Sequence, residues 1–291
     1  MSTTREPVTI IGLGNLGRAL AETFLANGHP TTVWNRSAVK AETLVAGGAT
    51  AAGTVADAVA ASELVVVALL DPAVAREVLA GAADAVRGRA LVNLTSGGPQ
   101  DARELTGWAA EHGAEYLHGA VYAVPQTIGT TESSINYSGS AAVHQRWQAQ
   151  LEILGKATFV GTDAGRASGY DVAILAGMYG MLGGFLHAAA IARAAGISAT
   201  ELTPMLVSWL TDVFPALVTF AKEIDSGDYT TEESNLVMNQ SGLATIITAS
   251  TSHGIPASPL APLKELIDQQ VAAGHGAASF ARAVESLRSG A

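Results

Sequence analysis

Asp171 is a carboxylate at the head of a nearly uncharged run, SGYDVAILAGMYGMLGGFLHAAAIARAAG, residues 168–196. Apolar neighbours disfavour the ionised form and raise the pKa, which suits such a group to deliver a proton; ionised, it stabilises an adjacent cation. A carboxylate near a helix start also complements the helix dipole, with no chemistry implied. Tyr179 follows eight positions later, about 80° round a helix and about 12 Å along its axis. Its hydroxyl can line the same cleft and bond an amine or Asp171, and a core tyrosine would read the same way. Asn93 closes the apolar run ALVN. It falls at the C-terminal end of a buried strand, where open α/β sheets bind ligands, and can orient a substrate or a ribose.

A second kind of chemistry is written at the N-terminus. IIGLGNLGRAL places Gly12, Gly14 and Gly17 in G-x-G-x-x-G spacing around Asn15 and Leu16. Glycines at this spacing allow a tight turn and let a pyrophosphate reach the backbone and the helix N-terminus. The motif alone is weak, but here it follows an apolar strand and opens a helix, which points to a dinucleotide. The second strand ends in WNRSAVK. NAD enzymes usually carry Asp or Glu there for the ribose 2′-hydroxyl. Asn35 and Arg36 stand in that place, and Arg36, Ser37 and Lys40 can surround a 2′-phosphate. An ordinary solvated helix start would use the same residues, but the absent carboxylate favours NADPH. Leu70 ends the next buried run, SELVVVALL, and is a further candidate for the cofactor cleft.

Other chemistries lack residues. The chain has no cysteine, and its seven histidines show no metal-ligand spacing, so no metal site is expected. Neither a G-x-S-x-G elbow nor a phosphate loop ending in GK[ST] is present. The net charge of −10 gives a nucleic-acid role no electrostatic support.

These residues must be held by two kinds of architecture. Up to about Asp163, short β-rich runs (VTIIGLG, TTVWN, SELVVVALL, ALVNLTSGG, ATFVG) alternate with amphipathic helices, the first over Asn15–Ala26. Such alternation implies a parallel sheet with helices on both faces. From 164 to 195 one helix of about 45 Å is expected, longer than a small domain is wide, so it should pack against a second subunit. Breaks near Gly196, Gly227, Gly254 and Gly274 divide the rest into about four more helices. Hydrophobic residues form 48% of the 291 and charged ones 14%, enough for a large core and an oligomer interface. The stretch from Val172 to Ala192 is long enough to span a membrane. It carries Tyr179, His187 and four glycines, and no second span follows. A buried helix in a soluble, cytoplasmic chain is therefore expected, with His187 as a core or interface residue. The opening MSTTREP lacks a signal peptide's pattern.

GRASGYD, residues 165–171, resembles the G-x-G-x-x-x-K motif of the β-hydroxyacid dehydrogenases, with Ala167 replacing the second glycine and Asp171 the catalytic lysine. That exchange, Tyr179 eight residues on and Asn93 in NLTSGG make the whole chain similar to the Asp-type imine reductases and reductive aminases. The resemblance implies an N-terminal Rossmann domain (1–163), an interdomain helix (164–195) and an all-α C-terminal domain (196–291). It implies NADPH-dependent reduction of an imine or iminium to an amine, with reductive amination of ketones as a further capacity. It also implies a domain-swapped homodimer with its active site at the subunit interface. Asp171, Tyr179 and Asn93 would be catalytic. Val121 and Tyr122 in the loop GAVYAVPQTIG, with Trp209, Met238 and Gln240 from the partner's helices, would line the substrate pocket. The chemistry agrees with the exchange: a lysine ammonium suits a developing alkoxide but repels an iminium, whereas a carboxylate stabilises it. A β-hydroxyacid dehydrogenase with altered acid/base chemistry, or a non-catalytic NADP(H) sensor, would share the fold.

Overall fold

The computed structural model describes residues 5–287. Its N-terminal half is built on eight strands: β1 (Val8–Ile11), β2 (Thr31–Trp34), β3 (Thr50–Ala51), β4 (Leu64–Val67), β5 (Ala90–Asn93), β6 (Glu115–Tyr122), β7 (Ser134–Gly139) and β8 (Lys156–Gly161). They form one sheet in the order β3-β2-β1-β4-β5-β6-β7-β8. The six strands from β3 to β6 are mutually parallel, so their C-terminal ends share one edge. β7 runs antiparallel to β6, which corrects the expected parallel sheet. The chain between β6 and β7 is too short for a helical crossover, and a short link joins antiparallel neighbours. The segment GAVYAVPQTIG is corrected as well: Gly119–Tyr122 belong to β6, so Val121 and Tyr122 end a strand.

β1 and β4 are buried at every position because helices cover both faces. Val8, Ile10, Leu64 and Val66 pack on one side with Leu20 and Phe24 of α1 (Asn15–Ala26) and with Trp147 of α6 (Ala141–Leu154). Ile11, Val65 and Val67 pack on the other with Val59 of α3 (Val55–Ala60), Leu79 of α4 (Pro72–Ala80) and Leu105 of α5 (Pro99–Glu111). The short α2 (Glu42–Ala46) contributes Leu44 to the first side.

α7 (Gly165–Ala194) is one continuous helix of 30 residues. One compact unit ends within it at Ala176 and the other begins at Gly177. The second unit contains α8 (Ala199–Val213), α9 (Ala216–Ser226), α10 (Leu236–Ser252), α11 (Ala261–Ala272) and a closing 3₁₀ stretch, Phe280–Leu287. The break between α8 and α9 falls at Pro215, which the glycine punctuation did not mark. A buried α7 was expected, yet within one chain many of its apolar side chains past Asp171 are exposed, Leu186 to 68% and Tyr179 to 66%. Apolar residues occur all round this helix, so no single packed face can cover them. By length and composition α7 also passes as a membrane span.

Candidate active site

The turn between β1 and α1 opens into a cleft of about 660 Å³ at the C-terminal edge of the sheet. It is lined by Gly12, Gly14, Asn15, Leu16 and Gly17, by Asn35, Arg36, Ser37 and Lys40 beyond β2, and by Leu70 beyond β4. Two of the three motif glycines have reasons inside the protein. Gly12 has φ +95°, and a Cβ there would lie 2.2 Å from the Ala68 carbonyl oxygen; one at Gly17 would lie 1.9 Å from that of Gly12. Among the described residues, a Cβ at Gly14 would meet nothing within 4 Å. Neither packing nor backbone strain among the described residues requires glycine at that position, and its bare backbone leaves room for a ligand to approach closely. The residues present therefore fit a dinucleotide pyrophosphate.

Asn35 ties this wall together. Its Oδ1 accepts from Leu13 N at 3.0 Å and its Nδ2 donates to the Ser37 carbonyl at 3.1 Å. Arg36 pairs with Glu77 of α4 at 2.8 Å, both side chains 67% exposed. Exposed pairs of this kind are worth little, so the guanidinium is free to exchange its partner for a phosphate.

Farther along the same sheet edge stands Asp171, 8% exposed, on the second turn of α7. Burial raises its pKa above the ordinary carboxylate value. Tyr122 at the end of β6 faces it: burial raises the phenol's pKa, the charge of Asp171 raises it further, and the Asn136 amide opposes the rise. The Tyr122 hydroxyl itself is buried with no hydrogen bond of good geometry among the described residues.

The first turn of α7 is tied to the sheet. Ser138 of β7 donates to the Ala164 carbonyl at 2.8 Å and accepts from Ala167 N at 2.9 Å. Ser168 Oγ lies 2.8 Å from His118 Nε2 on β6. Asn93 is only 2% exposed. Its Oδ1 accepts from Thr95 N at 3.0 Å and its Nδ2 donates to Tyr116 Oη at 2.9 Å, so its amide turns inward, away from the residues that line the cleft. Tyr116, His118, Ser138, Ser168 and Asn136 were not singled out from sequence. The alternation of Tyr116 and His118 in EYLHGAVY was the available signal, since both fall on one face of a strand.

Comparison with known proteins places the fold in a family. Residues 7–161 match the family model of the NAD binding domain of 6-phosphogluconate dehydrogenase, and residues 163–289 match that of the NADPH-dependent reductive aminase-like C-terminal domain. An NADPH-dependent reductive aminase of Aspergillus oryzae is 40% identical over 97% of both chains. The chain belongs to the reductive aminase and imine reductase family. A reductive aminase from Aspergillus terreus, solved with NADPH and ethyl levulinate, superimposes with a TM-score of 0.92 at 41% identity, covering 98% of this chain and 100% of that one. An imine reductase from the same organism, with NADPH4 and dibenz[c,e]azepine, gives 0.92 at 41% identity, covering 97% and 99%.

In this member of the reductive aminase family, the remaining candidate residues lie in the second compact unit. Trp209 on α8 is 67% exposed and Met238 on α10 is 60% exposed, so neither is part of the core within one chain. Gln240 donates to Asp268 of α11 at 2.8 Å. Asp268 also holds Lys264, and both bonds keep its carboxyl below the usual range. His187 is 5% exposed, with Nε2 unpartnered among the described residues.

Proposed function

We propose that the protein is a cytoplasmic homodimer that reduces imines and iminium ions to amines with NADPH, and that it also takes ketones with amines by way of the imine. The observation that carries this reading is Asp171, a buried carboxylate of raised pKa; by the motif resemblance of residues 165–171 it takes the place of the catalytic lysine of the β-hydroxyacid dehydrogenases. Relatives holding a ketone ester and a cyclic imine support it. Bound NADPH supplies the hydride. Gly12, Gly14, Asn15, Leu16 and Gly17 receive its pyrophosphate, and Arg36, Ser37 and Lys40 receive the 2′-phosphate. Asp171, protonated, delivers a proton to the substrate nitrogen or, ionised, stabilises the iminium. Tyr122, whose hydroxyl lacks a well-formed partner, and Val121 face the substrate. Tyr179 supplies a further hydroxyl to the substrate.

A second copy completes the site. Tyr179, Leu186, Met205, Trp209 and Met238 are each at least 60% exposed in one chain. So much apolar surface supports burial against another protein. In a domain-swapped dimer, Trp209 and Met238 supply apolar shape over the substrate and Gln240 a polar contact.

The test follows NADPH oxidation with a small cyclic imine, and NADP⁺ reduction with a panel of β-hydroxyacids. Turnover of the imine alone is expected. Turnover of a hydroxyacid alone would contradict the reading, and tight NADPH binding with neither turnover would favour a sensor.

A further inference from the structure

Asn93, His118 and Ser138 are direct register partners across β5, β6 and β7, and all three are buried. They form a polar row through an otherwise apolar sheet. Ser138 and His118 both reach the first turn of α7, and Asn93 reaches His118 through Tyr116. Buried polar groups of this kind persist when each is satisfied.

The row has a direction. Thr95 N donates to Asn93 Oδ1, which fixes the amide so that Nδ2 donates to Tyr116 Oη. Tyr116 is 3% exposed, and among the described residues the acceptor open to its own proton is His118 Nδ1, at 3.3 Å. An unsatisfied buried hydroxyl is costly, so the proton sits on this bond and Nδ1 is the unprotonated ring nitrogen. Nε2 then carries hydrogen and donates to Ser168 Oγ at 2.8 Å. Burial lowers the His118 pKa to about 4 against the opposing charge of Asp101, which keeps the ring neutral for this role. The chain ends at Ser168, three residues before Asp171, and residues at this spacing are neighbours on a helix surface.

We propose that the directed chain Asn93–Tyr116–His118–Ser168 fixes the first turn of α7 and thereby the position of Asp171, making His118 and Ser168 positioning residues for the reaction. The inference rests on the reading of Asp171 as catalytic. It also gives Asn93 a role from behind the site.

Two measurements on the full-length protein test it. In the first, kcat and KM for a cyclic imine and the Kd of NADPH are compared for wild type, Ser168→Ala, His118→Met, His118→Gln and Asp171→Asn. Glutamine can still present an N–H near the place of Nε2. Ser168→Ala and His118→Met are expected to lose about 10- to 100-fold in kcat, the scale of a small misplacement, with NADPH affinity kept; His118→Gln recovers most of the loss. Wild-type kcat in Ser168→Ala, or parallel losses of kcat and NADPH affinity, would overturn the proposal. If Asp171→Asn is also at wild-type rate, the reading beneath it falls; if only Asp171→Asn is slow, the chain falls alone. The second measurement needs no variant to fold. Imidazole ¹⁵N shifts of the wild-type protein should show His118 neutral and protonated at Nε2 near pH 7. The Nδ1–H tautomer, or a charged ring, would overturn the proposal.

Discussion

The imidazole of His118 and the hydroxyl of Ser168 stand 2.8 Å apart and 50 positions apart in the chain. Their contact joins the middle of the sheet to the first turn of the helix that carries Asp171. Both residues are almost fully buried, so the sheet and the start of α7 form one polar-pinned body.

That pinning has a pH signature. The folded-state pKa of His118 is lowered from 6.5 to about 4. Above pH 6.5 the ring is neutral folded and unfolded and adds nothing. As pH falls through the window from 6.5 to about 4, the unfolded state takes up the proton first, and stability drops. The loss attributable to this ring is on the order of 3 kcal/mol by the low end of the window. Chemical denaturation of wild type and His118→Gln from pH 7 to pH 4 should show the wild type losing more stability. Parallel curves would remove His118 as the cause.

The motif glycines should separate by readout. Gly17→Ala places a methyl against the Gly12 carbonyl, at 1.9 Å before any adjustment, and should lower Tm. The methyl of Gly14→Ala meets nothing within 4 Å among the described residues. The substitution should leave Tm unchanged and raise the Kd of NADPH about 10-fold or more, because in the proposed cradle the methyl would stand where the pyrophosphate approaches. A Gly14→Ala protein that binds NADPH normally would remove this residue from the cradle.

In the proposed function Arg36 receives the 2′-phosphate and so sets cofactor choice. Its pair with Glu77 is exposed on both sides, so Arg36→Ala should cost little stability. It should weaken NADPH binding about 10-fold or more while leaving NADH nearly unaffected, since only NADPH carries the 2′-phosphate. Isothermal titration with both cofactors reads this directly; equal losses would take Arg36 out of the phosphate site.

The bare apolar surface predicts assembly. The protein should sediment as a dimer at micromolar concentration, and Leu186→Asp, at a position 68% exposed in one chain, should shift it towards monomer with loss of turnover. A wild-type monomer with full activity would contradict an interface-built site.

Local pattern made much of this legible. α1 spans Asn15–Ala26 as its apolar spacing and closing glycine indicate. α7 is one helix of 30 residues because nothing in its sequence breaks it earlier than Gly196. Asp171 was visible as the lone carboxylate in an apolar run. The polar row was not, because it exists only in register: Asn93, His118 and Ser138 come from three strands, one of them antiparallel. His118 read as one of several scattered histidines, and β7 has too few apolar residues in SINYSG to stand out as a buried strand. The exposure of α7 was hidden for a related reason, since an apolar sequence states that cover is needed and leaves open which chain provides it.

In the proposed function Asp171 serves C=N reduction. The most direct test is single-turnover stopped flow, with enzyme preloaded with NADPH and mixed with a cyclic imine, comparing wild type with Asp171→Asn. Burial raises this carboxyl's pKa, so its charge is a cost to the folded state at neutral pH and the asparagine variant should fold at least as well. Hydride transfer slowed by about 10²-fold or more, with Tm and NADPH affinity preserved, is the expected result. A well-folded Asp171→Asn protein that reduces the imine at the wild-type rate would contradict it.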